Sequence, residues 1–157
     1  MRVTHQMAIL LGVAALASGG HWLAEGRPSG IPAVELESIP LKEGEIQLST
    51  LQQEGLEGVL FIDARRNDEW QRDGLEGSIN ITSLSDEDLV GQLAPHFEAL
   101  TTARRIVVYC GDIHCGLSHE LADRLKADFS DMLGGELSVL HGGMTALEVA
   151  GLVRATN

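Results

Sequence analysis

The stretch IVVYCGDIHCGLSH, residues 106–119, sets the interpretation of the whole chain. Its first four residues form an apolar run typical of a buried strand, which ends at Cys110. A polar loop containing Gly111 and Gly116 follows, and an amphipathic helix is predicted from Leu117 onward. Ligands of open α/β sheets bind at the carboxyl ends of the strands, and N–H groups at a helix start favour anions. Both features favour a thiolate at Cys110.

The chain has one other cysteine, Cys115, and it lies in the same loop. Two thiols so close together indicate sulfur chemistry. Ser118 stands where a helix cap is expected. The candidate site of this loop comprises Cys110, Gly111, Asp112, Ile113, His114, Cys115, Gly116 and Ser118.

Length and composition indicate one globular domain. The chain has 157 residues, of which 44% are hydrophobic and only 4% aromatic, so its core is expected to consist mainly of aliphatic side chains in layered α/β packing. Beyond residue 24 there are 10 basic and 23 acidic side chains. An acidic surface of this kind argues against nucleic acid as a partner.

Residues 1–24 are predicted to be either a signal peptide or a transmembrane anchor. The apolar run 7–17 is short for a span, and its final Ala-Leu-Ala resembles a cleavage site. Apolar character resumes at Trp22, however, which lengthens the segment enough for a marginal span. Arg2 precedes the segment and acidic residues follow it, so we expect a membrane-anchored or secreted domain facing the periplasm or another extracytoplasmic space. Such an oxidising compartment allows a disulfide between Cys110 and Cys115.

Residues 25–44 carry three prolines and have linker composition, and residues 45–153 are predicted to form the folded domain. Within that domain, short apolar runs alternate with helical patterns, which predicts a parallel sheet with helices on both faces. The longest pattern, 85–100, predicts a helix that starts near Ser85 and is bent or restarted by Pro95. The predicted strands cover residues 46–48, 59–62, 78–81, 106–109 and 137–140.

Four blocks of sequence, in this order, resemble the rhodanese-like domain family: LFIDARRNDEW (60–70), GLEGSINI (74–81), VVYC (107–110) and VLHGGMTALEVAGL (139–152). The resemblance implies an α/β fold with a five-stranded parallel sheet, and Cys110 as the nucleophile that accepts a sulfane sulfur. It implies a supporting role for Asp63 and Arg65 beside the site, and no cofactor. The implied partners are a small sulfur donor, namely polysulfide, persulfide or thiosulfate, and a thiol acceptor.

The active-site loop departs from the usual family pattern. A typical member ends this loop with an arginine that faces the substrate anion, whereas here Cys115 stands at the fifth position after Cys110 and no arginine precedes Ser118. The loop resembles that of a subgroup with the pattern C-x4-C-x2-S. Because Asp112 also repels anions, phosphatase chemistry is disfavoured and the use of thiosulfate is weakened.

Two hypotheses from different classes follow. In the first, the protein is a sulfurtransferase that carries a persulfide on Cys110, with Cys115 as a candidate resolving thiol. In the second, it is a rhodanese-fold redox or binding module with a Cys110–Cys115 disulfide and no sulfur-transfer turnover. A metal site that adds His114 and His119 is not expected, because the spacing C-x3-H-C-x3-H is not a usual zinc pattern. His141 either borders the pocket or is a hydrogen-bonded residue at a strand end.

Overall fold

The computed structural model describes residues 36, 38–111 and 114–153. The predicted signal or anchor, residues 1–24, and most of the predicted linker, 25–44, lie outside these residues, so the proposed division of the chain stays a prediction. Within the described ranges no helix has both the length and the apolar character needed to cross a membrane.

The described chain alternates strands and helices, as predicted. The strands are β1 (Glu45–Ile46), β2 (Val59–Asp63), β3 (Ile79–Asn80), β4 (Arg105–Tyr109) and β5 (Glu136–Leu140). The α-helices are α1 (Leu48–Glu54), α2 (Asn67–Asp73), α3 (Leu89–Leu93), α4 (Phe97–Thr102), α5 (Leu117–Phe129) and α6 (Gly143–Val149), and 3₁₀ turns cover Ala94–His96 and Ser130–Met132.

The five strands form one parallel sheet in the order β1-β5-β4-β2-β3. The predicted five-stranded parallel sheet is therefore confirmed. In this register Asp63, the last residue of β2, lies beside Tyr109, the last residue of β4. The two central strand ends thus reach the same edge of the sheet side by side.

Strand β4 explains why helices cover both faces of the sheet. Successive side chains of a strand point to opposite faces, and those of β4 divide between two hydrophobic clusters. Ile106 and Val108 pack with α3, α4 and α5, whereas Val107 and Tyr109 pack with α1 and α6. All four of these β4 side chains are buried, so the strand that carries Cys110 is enclosed on both faces.

The helix predicted from Ser85 starts later and is divided. Asp88 is its cap, because the Asp88 carboxylate accepts a hydrogen bond of 2.7 Å from the N–H of Gly91. Pro95 lies in the 3₁₀ turn that separates α3 from α4, and this interruption changes the helical phase. As a result Phe97, which continues the four-residue apolar spacing of Leu89 and Leu93 in the sequence, is 53% exposed, while Leu100 is buried.

A tight turn after β5 brings α6 against the end of β4. Gly142 has φ +78°, a left-handed conformation that disfavours other residues, and an added Cβ would lie 2.5 Å from a Leu36 methyl carbon. Beyond this turn the N–H of Met144 donates a 2.7 Å hydrogen bond to the carbonyl oxygen of Cys110. The backbone of Cys110 is thereby fixed between β4 and α6.

Candidate active site

Cys110 lies at the carboxyl end of the central strand β4, as predicted. The residue is 1% exposed and packs in the hydrophobic cluster that contains Ile106 and Leu121. The backbone on either side is held as well, since the carbonyl of Tyr109 accepts a 2.8 Å hydrogen bond from the N–H of Ala64. The sulfur of Cys110 is therefore carried by a rigid part of the fold.

Cys115 is joined to Cys110 by a disulfide, with the two Cα atoms 6.2 Å apart. This separation is normal for a disulfide, so the expected pairing is present in the structure. Unlike Cys110, Cys115 is only partly buried at the edge of the core. The Cys110 Sγ also lies 3.4 Å from the carbonyl oxygen of Cys115.

Ser118 is the third member of this cluster. Its side chain is 3% exposed, and its Oγ lies 3.3 Å from Cys110 Sγ. The expectation that Ser118 caps the helix is wrong, because α5 begins at Leu117 and the cap residue is Gly116, which makes no side-chain cap bond. The hydroxyl faces the sulfur instead, where it can donate a hydrogen bond to a thiolate.

For the other predicted loop residues that lie within the described ranges, the structure gives position and exposure. Gly111 follows Cys110 directly, and His114 and Gly116 are exposed. Asp112 and Ile113 lie outside the described residues.

Asp63 and Arg65 form a closed ionic cluster at the end of β2. Both are buried, and the Arg65 guanidinium donates to Asp63 at 2.8 Å, and at 2.9 Å to Asp73. Its Nε also lies 3.1 Å from Asp63 Oδ1. Burial by itself lowers the pKa of Arg65, but the hydrogen bond and charge of Asp63, with those of Asp73, outweigh it and raise this pKa. With all three guanidinium nitrogens bonded to carboxylates, Arg65 holds the strand end in place; its supporting role beside the site stays a prediction.

Tyr109 was predicted only as a strand residue, and the structure shows that its hydroxyl is buried. Its OH accepts a 3.1 Å hydrogen bond from the N–H of Leu75 and lies 3.3 Å from Ser78 Oγ. Burial, together with the charge of Asp63, raises the pKa of Tyr109 to about 12. The side chain thus links the end of β4 to the segment between α2 and β3.

A second, partly buried cluster, Glu45–His119–His141, was also missed. The Glu45 side chain is 4% exposed; its Oε1 lies 2.9 Å from His119 Nε2 and its Oε2 lies 2.8 Å from His141 Nδ1. Burial raises the pKa of Glu45, but the backbone N–H of Lys42 and the bonds to His141 and His119 outweigh it and lower this pKa overall. No sequence motif signals this cluster, because its members lie on β1, α5 and the end of β5.

This second cluster accounts for both remaining histidines of interest. His141 is a hydrogen-bonded residue at a strand end, since its Nε2 also lies 3.2 Å from the carbonyl oxygen of Leu36. His119 is bonded to Glu45 and Cys110 to Cys115. Across residues 36, 38–111 and 114–153, no three His, Cys, Asp or Glu side chains group as metal ligands.

Three solved structures illustrate the similarity of this chain to known proteins. A thiosulfate sulfurtransferase from Pseudomonas aeruginosa is 25% identical with a TM-score of 0.50; the match covers 74% of this chain but only 21% of that one. A Bacillus halodurans protein is 21% identical with a TM-score of 0.49, over 71% of this chain and 77% of that one. A Lactobacillus plantarum protein is 18% identical with a TM-score of 0.47, and the match covers 71% of this chain and 88% of that one. No curated protein matches the chain significantly.

The family model described as the rhodanese-like domain matches residues 47–150. This range contains β2 to β5, the sheet edge at which the strands end and every residue of the cysteine loop. The chain therefore belongs to the rhodanese-like domain family.

Proposed function

We propose that this protein is a sulfurtransferase that carries sulfane sulfur as a persulfide on Cys110, and that Cys115 resolves the persulfide. One observation carries the proposal: Cys110 Sγ, at the end of a central parallel strand, lies in bonding contact with Cys115 and 3.3 Å from the Ser118 hydroxyl. Membership of the family supports it, and so does the likeness to a protein named thiosulfate sulfurtransferase.

The surroundings of Cys110 suit an anionic sulfur once the disulfide is reduced. The Ser118 hydroxyl can donate to the thiolate, and α5, a helix of 13 residues, begins close by at Leu117. The positive end of a helix stabilises negative charge within its first turn. A persulfide has the same charge as the thiolate, so the same groups stabilise both.

Loading follows from attack by the Cys110 thiolate on the outer sulfur of the donor. A bond forms between Cys110 Sγ and that sulfur, the donor's own sulfur–sulfur bond breaks, and the leaving group departs with the electron pair. The leaving group is a thiolate when the donor is a persulfide, and sulfite when it is thiosulfate.

The outer sulfur can leave Cys110 by two routes. An acceptor thiolate can attack the outer sulfur, which leaves with it and returns Cys110 as a thiolate. Alternatively, the Cys115 thiolate attacks Cys110 Sγ and expels the outer sulfur as hydrosulfide, so that the disulfide forms. Two electrons from an external thiol reductant then restore both thiols.

The loop favours polysulfide or persulfide donors over thiosulfate. No arginine stands between Cys110 and Ser118 to pair with a sulfonate group, and Asp112 adds negative charge to the loop. We expect kcat/KM to be higher for an alkyl persulfide than for thiosulfate. A preference for thiosulfate would contradict this choice of donor but not the chemistry at Cys110.

The decisive test is intact mass after incubating reduced protein with polysulfide. Cys110→Ser should abolish sulfur transfer, and Cys115→Ser should accumulate an adduct of about 32 Da, the mass of one sulfur atom, on Cys110. The two substitutions are matched, since each replaces one sulfur by oxygen. Undiminished transfer by Cys110→Ser would refute the proposal.

The disulfide favours a second candidate, a redox or binding module without sulfur turnover. In that case reduced wild-type protein and Cys115→Ser would both stay free of the sulfur adduct, although the disulfide would still form. The same mass measurement therefore separates the two candidates.

We also propose that residues 1–24 direct the domain out of the cytoplasm, as a cleaved signal or a retained anchor. The apolar run 7–17 and the positive residue Arg2 support this. Cell fractionation with intact-mass measurement decides between the two, and full-length protein in the cytosolic fraction would contradict both.

A further inference from the structure

The two cysteines of the disulfide differ in exposure, since Cys110 is buried and Cys115 is partly exposed. We propose that the Cys110–Cys115 disulfide opens from one side: an external thiolate attacks Cys115 Sγ, and Cys110 leaves as the thiolate. This direction depends on the disulfide alone. It rests on the proposed function only in that the released Cys110 is then the sulfur carrier.

Access decides which sulfur is attacked. A thiolate must approach a disulfide sulfur from the side opposite the sulfur that leaves. Cys110 is 1% exposed and packed within the core, so an attack there requires the nucleophile to enter the hydrophobic cluster. Cys115 is partly exposed and is flanked by the exposed residues His114 and Gly116. The approach to Cys115 is the one that the fold leaves available.

Negative charge is also better stabilised on Cys110 Sγ, the leaving sulfur, than on Cys115 Sγ. A thiol leaves faster when its thiolate is stabilised. The buried Ser118 hydroxyl lies 3.3 Å from Cys110 Sγ and can donate to it as negative charge develops. Access and leaving-group stabilisation therefore select the same direction.

The direction also selects the class of reductant. Attack forms a mixed disulfide on Cys115 and releases the Cys110 thiolate within bonding distance of it, since the two Cα atoms are 6.2 Å apart. The released thiolate can attack Cys115 again and expel the monothiol. A dithiol competes with this reversal, because its second thiolate attacks its own first sulfur in the mixed disulfide. The bond to Cys115 breaks, Cys115 leaves as a thiolate, and the partner departs as a closed disulfide. We therefore assign a dithiol as the partner that prepares Cys110 for sulfur loading.

The experiment traps the first step on oxidised wild-type protein, with glutathione as the monothiol probe. The reaction is quenched early in acid containing a maleimide, and tandem mass spectrometry locates both modifications. We expect glutathione on Cys115 and maleimide on Cys110, in roughly tenfold excess over the reverse arrangement. Equal amounts, or glutathione mainly on Cys110, would overturn the proposal. It would also be overturned if free thiols remained in the oxidised protein, because the Cys110–Cys115 disulfide would then not have formed.

Failure of this inference is distinguishable from failure of the proposed function. Correct trapping with no sulfur adduct on reduced Cys115→Ser refutes only the function, whereas an adduct with reversed trapping refutes only the direction of opening.

Discussion

The ends of the neighbouring strands β2 and β4 lie side by side at one edge of the sheet and use opposite kinds of interaction. At the end of β2, Asp63 and Arg65 are joined by several short charged hydrogen bonds, and Asp73 takes up the remaining guanidinium nitrogen. At the end of β4, Cys110 has one exchangeable covalent bond and a longer contact with Ser118. The difference teaches that one strand end supplies rigidity while its neighbour is left chemically available.

The largest expected effect is on the β2 side. Arg65→Ala leaves the buried Asp63 carboxylate without its partner, and we expect the free energy of unfolding to fall by about 3–5 kcal/mol. Urea denaturation measures the loss. Arg66→Ala is the matched control, because Arg66 is 69% exposed and its ion pair with Asp68 contributes at most about 1 kcal/mol. Similar losses for the two variants would remove the distinction between the strand ends.

Tyr109, which links the end of β4 to the segment between α2 and β3, gives the next largest effect. Tyr109→Phe leaves the N–H of Leu75 without its acceptor in a buried place, which should cost about 1–2 kcal/mol at neutral pH. Urea denaturation of the two proteins at the same pH measures this difference. An unchanged free energy of unfolding would show that the hydroxyl is not part of the support for β4.

The raised pKa of Tyr109 adds a pH dependence with a definite sign. Its protonated form is favoured in the folded state, so the stabilisation is complete below pH 10.0 and is lost as the pH rises toward the folded value of about 12. Over that range wild-type protein should lose ~2 kcal/mol more than Tyr109→Phe. Since Tyr109 is the only tyrosine, tyrosinate absorbance follows its titration directly, and ionisation near pH 10 would contradict the expectation.

These two strand ends also show what the sequence could predict. The apolar runs identified β2 and β4, and the alternation of strands with helices predicted a parallel sheet. It was the resemblance to the rhodanese-like family that implied a place for Asp63 and Arg65 beside Cys110. Ser118 was wrongly predicted to cap the helix, because local spacing indicates where a helix starts but not where a side chain in its first turn points. Contacts between distant elements, such as Tyr109 with Leu75, leave no periodic signal.

On the β4 side we expect substitutions to affect chemistry more than stability. Ser118→Ala removes the hydroxyl beside Cys110 Sγ and should slow persulfide formation roughly tenfold, which corresponds to loss of one hydrogen bond to a charged group. The free energy of unfolding should change by less than about 1 kcal/mol, because the sulfur is a weak partner for the hydroxyl. Rates are compared in a Cys115→Ser background, where no disulfide competes. A large loss of stability without a change in rate would reverse the comparison.

The smallest effect tests whether Glu45 supports the β4 side as the ionic cluster supports β2. Glu45 holds His119, the residue next to Ser118, and also His141 at the end of β5. Because its pKa is lowered in the folded state, its stabilisation is present above the ordinary value of 4.5 and is lost as the pH falls below it. Glu45→Gln should therefore be about 1 kcal/mol less stable than wild-type protein at pH 7, and this difference in the free energy of unfolding should disappear in acid.

Urea denaturation at both pH values measures this difference, with the exposed neighbour variant Glu43→Gln as control. A difference that persists unchanged in acid would mean that Glu45 acts through packing rather than through its charge, and that Arg65 is the more important ionic support of this sheet edge.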